Sequence, residues 1–252
     1  MMRKEMTKMK ILAIDIETSP NLADVWGLWN QNISLSQLRE SSRTMCFGAK
    51  FIGERKSFFF SEFHNGYSDM VAAAHNLMSS ADVLVHWNGK KFDVPTLNKE
   101  ILLEDLSPPA PFKELDLMLE CRKHFRFPSN KLDYVANILG LGSKVKHEGH
   151  ILWQKCLTGD KDAWRKMKTY NMQDVYLLEG IYNKTLPWLN HPHRGLYAGI
   201  ETSCPNCPSA DSRREGYAYL ETGKYQRYQC LGCGKWFRGT KRVDSVNTKG
   251  VQ

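Results

Sequence analysis

Two Cys-x-x-Cys pairs, Cys204-Pro-Asn-Cys207 and Cys230-Leu-Gly-Cys233, stand 22 residues apart, and few local folds satisfy that spacing. Each pair can turn two thiolates toward one point, and two such turns complete a tetrahedral four-sulfur site for zinc. Gly232 and Gly234 suit the tight turns that the site needs. A closed four-thiolate site leaves no position for a reacting water, so this zinc is expected to be structural. Disulfides or redox thiols are the alternatives; paired spacing favours metal where no secretion signal is seen. The segment Met1–Lys10 is polar and basic and lacks the apolar stretch of such a signal. A cytoplasmic location, of a cell or of an infected host, is therefore expected. Cys46, Cys121 and Cys156 are scattered.

The 252 residues leave room for one substantial core of roughly 150–200 residues beside this module. No apolar run reaches the ~18–20 residues that cross a bilayer, so no membrane partner is expected. The run Ile11-Leu-Ala-Ile-Asp15-Ile predicts a buried strand, as do Gly48–Phe51, Lys56–Phe63 and Val83–Asn88. Ser68 is placed to cap an amphipathic helix through Met70, Val71, Ala74, Leu77 and Met78. Pro95 fits the first turn of another helix, continued by Leu97, Ile101 and Leu102. After the break Ser107–Pro111 the pattern turns helical, clearest over Leu132–Leu139 and from Asp162 to about Tyr182. Strands followed by mixed strands and helices predict an α/β domain with a mixed central sheet.

Asp15 and Glu17 lie two apart at the end of the first strand and so emerge on one face. Two acids beside a hydrophobic run are expensive unless a cation balances them, and Mg²⁺ takes such oxygen ligands while keeping waters for chemistry. Taken alone, the pair is equally a set of surface acids. Asp93 follows the strand Val83–Asn88 after a short connection; by itself it is best read as a helix cap. Tyr170 and Asp174 lie one turn apart on the long helix, a spacing common on exposed faces as well.

The ordered set is more specific than its parts. Asp15-Ile-Glu17-Thr18, then His86-Trp-Asn88-Gly-Lys-Lys-Phe92-Asp93-Val-Pro95, then Tyr170-x-x-x-Asp174 resemble the three motifs of the DEDD superfamily of 3′–5′ exonucleases. Ser129-Asn-Lys131-Leu132-Asp133-Tyr-Val-Ala also looks like the segment before the third motif in these nucleases. Tyr170 points to the DEDDy branch, which includes polymerase proofreading domains. The resemblance implies a ribonuclease-H-like fold over residues 9–188 and hydrolysis of nucleic acid, DNA favoured, to nucleoside 5′-monophosphates. It implies two Mg²⁺ or Mn²⁺ ions held by Asp15, Glu17, Asp93 and Asp174, with Tyr170 orienting the attacking water. Thr18, Asn88, Lys91 and Phe92 are candidate substrate contacts, although Phe92 is expected in the core. Asp133 is expected at a helix start; Asp116 has no assigned role. Trp26 and Trp29 are able to stack on bases, yet buried or loop-packing tryptophan is the favoured reading. His147 and His150 lie close together without further ligands nearby.

The cysteine spacing resembles a zinc ribbon over residues 200–242, with strands such as Tyr217–Leu220 and Tyr225–Gln229 between the knuckles. Residues 189–199 make a plausible linker, and 243–252 are expected to form a disordered tail. Arg213, Arg214, Lys224, Arg227, Lys235, Arg238, Lys241 and Arg242 are interleaved with Tyr217, Tyr225, Tyr228, Trp236 and Phe237, a mixture suited to phosphate contact and base stacking. A solvated face that only folds or docks is the plainer alternative. The net charge of +8 fits a polyanionic partner without identifying one. The expected partner is nucleic acid with a 3′ end; a protein partner in replication, repair or phage DNA metabolism is compatible with the architecture. The competing functions are a structure-selective or RNA-directed nuclease on the same scaffold, and a non-catalytic nucleic-acid-binding protein led by the ribbon.

Overall fold

The strand predicted at Ile11 is β1 (Ile11–Thr18), and it buries Ile11, Leu12, Ala13, Ile14 and Ile16 in near-continuous fashion because both its faces are covered. The computed structural model describes residues 9–190, 203–207 and 209–246. A short antiparallel pair, β2 (Leu22–Ala23) and β3 (Leu38–Glu40), then forms an arm. β4 (Thr44–Phe51) is buried along its whole length and pairs antiparallel with β1; β5 (Ser57–Ser61) pairs antiparallel with β4. α1 (Glu62–Asn65) and α2 (Tyr67–Ser79) follow. Gly66 caps α2 at φ 85°, a left-handed conformation open to glycine, so Ser68 lies inside the first turn and is not the cap. β6 (Val83–His86) runs parallel to β1, α3 (Asp93–Leu103) crosses over, and β7 (Lys113–Asp116) runs parallel to β6.

The five-stranded sheet therefore has the order β5-β4-β1-β6-β7. Counted among these five strands alone, that is third, second, first, fourth, fifth. On one face, Leu12, Ile14, Ile16, Phe47 and Ala49 pack with Met70, Val71, Ala74 and Met78 of α2 and with Val94, Leu97 and Ile101 of α3. Four further helices complete the domain: α4 (Leu117–His124), α5 (Leu132–Ile138), α6 (His150–Leu157) and α7 (Lys161–Thr185). On the second face, Leu152 and Cys156 of α6 and Trp164, Met167 and Tyr170 of α7 pack on Met45 and Cys46. The result is the mixed α/β architecture that the sequence predicts.

By compactness the chain divides after Ile181, so the unit holding the cysteines takes in the last turn of α7. Its sheet is antiparallel, β10-β9-β8, built from β8 (Ser212–Leu220), β9 (Gly223–Cys230) and β10 (Trp236–Asp244). Cys204 and Cys207 precede β8, Cys230 ends β9, and Cys233 lies in the turn to β10. Within this unit Asn206 donates to the Leu186 carbonyl, and Lys235 donates to Leu189 O at 2.8 Å and Asn190 Oδ1 at 3.0 Å. Leu189, expected in a linker, is buried; residues 191–199 of that stretch lie outside the described residues. Val243 and Asp244, expected in a tail, belong to β10, and residues 247–252 lie outside the described ones.

Candidate metal centre

β1 delivers Asp15 and Glu17 to the sheet face that α7 covers, because side chains two apart share a face. Their neighbours Ile14 and Ile16 take the opposite, aliphatic face. On α7, Trp164, Met167, Asn171, Asp174, Val175, Leu178 and Ile181 form one buried stripe at helical spacing. The two polar members of that stripe both meet the end of β1. One carboxylate oxygen each from Asp15, Glu17 and Asp174 lies within 4.8 Å of the other two. Asn171 Nδ2 donates to Asp15 Oδ2 at 2.8 Å and to the Asp15 carbonyl at 3.1 Å, fixing both the side chain and its backbone.

Close approach of the helix requires Gly48. It lies opposite Asp15 in the β1–β4 register, and a Cβ there would sit 2.5 Å from Asn171 Oδ1 and 3.1 Å from Val175 Cγ2. Farther along the same line, Lys50 Nζ pairs with Glu179 Oε2 at 2.6 Å, pinning α7 to β4 a second time.

Asp93 comes from the other side. It is the first residue of α3, buried, and its Oδ1 accepts the Ile16 N–H at 3.2 Å. The cap position belongs to Phe92 and makes no side-chain cap bond, so the isolated reading of Asp93 as a cap does not hold. Its carboxylate reaches β1, between Asp15 and Glu17, as well as its own N–H.

Crowded burial makes these acids hard to ionise. Burial, then Glu17, Asp174 and Asp93, push Asp15 well above the usual carboxylate range. Burial and the Asp174 charge push Glu17 up to about 8. Burial pushes Asp93 up to about 7, against the pull of the Ile16 N–H bond. Asp174 is raised by burial too, although Lys144 pulls the other way, and its Oδ1 is buried without a hydrogen-bond partner. The arrangement calls for positive charge, and a set of hard oxygen donors fits a divalent cation such as Mg²⁺ or Mn²⁺.

One cation is supplied by the chain. Lys144, in the loop before α6, donates to Asp174 Oδ2 and, at 3.3 Å, to Tyr170 Oη. Burial depresses its ammonium, but Asp174, Tyr170 and Asp15 outweigh that and raise it above the usual lysine value. The Lys144 N–H is held by Asp133 Oδ1 at 2.7 Å, which gives that first-turn residue of α5 a job beyond starting a helix. Tyr170 is also packed edge-on by His147, with ring centroids 4.6 Å apart, and by Trp153 at 5.9 Å. His147 thus belongs to the wall of this site, whereas His150 is an exposed first residue of α6. Burial and the charges of Glu17 and Asp174 hold the Tyr170 phenol protonated well above its usual range.

The candidate substrate contacts are less concentrated. Thr18 is half-buried at the end of β1, just past a register shift. Asn88 sits at φ 64° in the β6–α3 connection, with its backbone N–H on Asp116 Oδ1 at 3.0 Å. Lys91 is exposed, and so is Phe92, which corrects its expected place in the core. Asp116 gains a role: it caps α4 through the Met118 and Leu119 N–H groups. Sequence reasoning missed Asn171 and Lys144. Asn171 was detectable as a polar residue interrupting an apolar helical stripe three residues before Asp174; Lys144 lies in a stretch without periodicity and gave no signal.

A family model described as the RNase_H superfamily matches residues 36–186, more than half of the chain. The chain belongs to the RNase H superfamily. Its five-stranded mixed sheet and flanking helices agree with that membership, which brings a nuclease-type fold and supports nucleic-acid hydrolysis in general. The matched span of this RNase H-superfamily protein begins after β1, so Asp15 and Glu17 lie outside it; geometry alone joins them to Asp174 on the matched helix. No curated protein matches the chain.

The cysteines form a second cluster, with all four sulfurs within 4.8 Å of one another. Cys204 Sγ lies 3.6 Å from Cys233 Sγ, and Cys207 Sγ lies 3.5 Å from Cys230 Sγ. A tetrahedron with Zn–S bonds of about 2.3 Å has edges of about 3.8 Å, close to these spacings. The cluster is compatible with a zinc ribbon.

Proposed function

We propose that the chain is a divalent-metal-dependent 3′–5′ exonuclease of the DEDDy type, with DNA the favoured substrate. The observation that carries this reading is the convergence of Asp15, Glu17 and Asp174 within 4.8 Å, with Asp93 bonded to the backbone between the first two. Asp15, Glu17, Asp93 and Asp174 would hold two Mg²⁺ or Mn²⁺ ions, which when bound activate a water and stabilise the leaving oxygen. Asp15, presented by β1 and clamped by Asn171, would be held ready as one of these ligands. Tyr170 keeps its phenolic proton and can orient the attacking water by hydrogen bonding. The water oxygen forms a bond to phosphorus as the P–O3′ bond breaks; the products are a nucleoside 5′-monophosphate and a strand shortened by one residue with a new 3′-hydroxyl.

The ribbon supports a nucleic-acid substrate independently. Lys224 lies over the Tyr217 ring at 4.1 Å, Arg238 over Tyr225 at 4.4 Å and Arg227 over Trp236 at 5.1 Å. Cations laid on ring faces form an exposed array that suits phosphates beside bases. In this reading the four cysteines hold one structural Zn²⁺.

The decisive experiment uses 5′-labelled single-stranded and duplex DNA and RNA, Mg²⁺ or Mn²⁺, and Asp15→Ala as control. A metal-dependent ladder shortening from the 3′ end and lost in the variant is expected. Internal cuts would move the function to an endonuclease. Tight binding without cleavage would favour the ribbon-led binding protein, and a strong RNA preference the RNA-directed alternative.

A further inference from the structure

The arm between β1 and β4 carries the two most exposed aromatic side chains among the described residues: Trp26 is 97% exposed and Trp29 84%. This overturns the expectation that they are buried or packed within a loop. Each indole offers a large apolar face, and two left fully in water on one short segment mark a contact surface. Leu28, between them, and Leu35 are equally exposed.

The segment is braced rather than loose. Asp24 N–H donates to Gln37 O at 2.9 Å, and Gln37 Nε2 returns a bond to Asp24 O at 2.9 Å. Ser34 N–H donates to Gln37 Oε1 at 3.0 Å, and Gln31 Nε2 donates to the Trp29 carbonyl at 2.8 Å. The segment that carries the indoles is thus held at its base and at the Trp29 carbonyl.

The root of the arm is the end of the site. Ser19 N–H donates to Arg43 O at 2.8 Å, and Arg43 N–H to Ser19 Oγ at 3.0 Å. The adjoining pairs are Thr18 with Thr44 and Glu17 with Cys46, so the arm leaves the sheet directly beyond the acids. Trp26 is seven residues past Ser19, at most about 25 Å of extended chain. Charge divides between root and tip. Lys99 Nζ holds Ser42 O at 2.8 Å at the root, whereas residues 20–41 contain only Asp24, Arg39 and Glu40 as charged groups. A tip without net positive charge does not attract phosphates; flat rings on an arm rooted at the acidic site suit unpaired bases, which all offer a π-face.

We propose that Trp26 and Trp29 form a stacking platform for the unpaired bases of a single strand whose 3′ end enters the acidic centre. The proposal rests on the exonuclease reading and names its substrate: a strand single-stranded for several residues at the 3′ end. The leucines keep water from the stacked bases. A second copy of the chain and a protein partner are the other possible occupants of such a surface.

The test measures binding of the full-length chain to a fluorescein-labelled oligothymidine strand in a chelator of the catalytic divalent ions too weak to strip a four-thiolate zinc site. Trp26→Ala/Trp29→Ala should weaken binding about tenfold or more, since each base–aromatic stack contributes on the order of tenfold. Its salt dependence should be unchanged, because stacking releases no counterions. Blunt duplex of the same length should lose less than about twofold. An unchanged thermal midpoint shows that the variant is folded. Loss of less than about twofold on the single strand overturns the proposal. So does sedimentation showing a native dimer that the variant abolishes while oligothymidine affinity stays the same. Binding is read without turnover, so the two readings fail separately. A chain that never shortens a 3′ end but binds through the tryptophans sinks only the exonuclease; one that cuts normally with tryptophan-independent binding sinks only the platform.

Discussion

The carboxylates at the end of β1 and the thiols of the ribbon both crowd like charges together, yet they stand on different foundations. The carboxylates rest on two buried layers, one with Phe47, Leu84 and Leu97, the other with Trp164 and Met167, that exist without them. In the ribbon, among the described residues 203–246, only Cys204, Asn206, Gly223 and Cys230 are buried. Three exposed strands have little apolar surface to hide, and a module of that size needs a staple. The acids are placed by a fold that stands without them; the thiols must create the fold they belong to.

Removing the zinc proposed for the cysteines should produce the largest effect. Structural zinc in small modules supplies on the order of 10 kcal/mol, so a strong chelator or Cys230→Ser should unfold residues 203–246. Residues 10–181 should keep their amide-exchange protection. Protection of β8–β10 surviving chelation would erase the contrast. At the other cluster, Asp15→Asn or Asp174→Asn should lower nuclease activity to roughly 1% or less of wild type. Without metal the Asp15→Asn protein should melt no earlier, because it removes one of several crowded acids whose ionisation is costly together. Asp174→Asn also takes from Lys144 its carboxylate partner and should melt somewhat earlier. An Asp15→Asn protein that is both inactive and clearly less stable would mean that the acids help to hold the domain together.

Asn171→Ala sharpens the comparison by loosening an acid without removing it. A residue that orients a metal ligand contributes about 10–100-fold to metal affinity or activity. The expected signature is a raised metal requirement with near-normal activity at saturating Mn²⁺; equal loss at every concentration would assign Asn171 to packing instead. The smallest effect is the pH dependence. Glu17, held up to about 8, and Asp93, up to about 7, keep protons that the unfolded chain gives up near pH 4–5. The folded state binds more protons across that window, so metal-free stability should fall as pH rises from about 5 to 8. A divalent cation should then raise the thermal midpoint more at pH 8 than at pH 6, where it competes with protons. A Glu17→Gln protein should show a flatter metal-free profile, and an identical profile would reject this cause.

Much of this was legible in residues, for reasons that differ by element. β1 was readable because a strand covered on both faces is a continuous apolar run, and its acids stood out against it. α7 was readable because its buried stripe repeats at helical spacing over many turns. The cap of α2 was misassigned, since Ser68 is a good cap residue and only the chain path makes Gly66 the turn. The usual preference of aromatic residues points Phe92 inward and Trp26 and Trp29 into the core or a loop. That preference fails where a large apolar face is kept in water, and only tertiary structure shows which face is kept. Lys144 reaches the acids from a loop, where no period ties sequence position to place.

The alternation along β1 has one more consequence, for assembly rather than chemistry. Had β1 paired with β4 one residue out of step, every side chain would have changed faces. Asp15 and Glu17 would then point into the layer of Phe47, Leu97 and Ile101, and Ile14 and Ile16 would face Asn171 and Asp174. Two ionisable groups driven into that layer cost several kcal/mol, so the mispaired sheet is a poor competitor for the native one. The acids proposed to serve the metal centre also check the pairing of the strand that carries them.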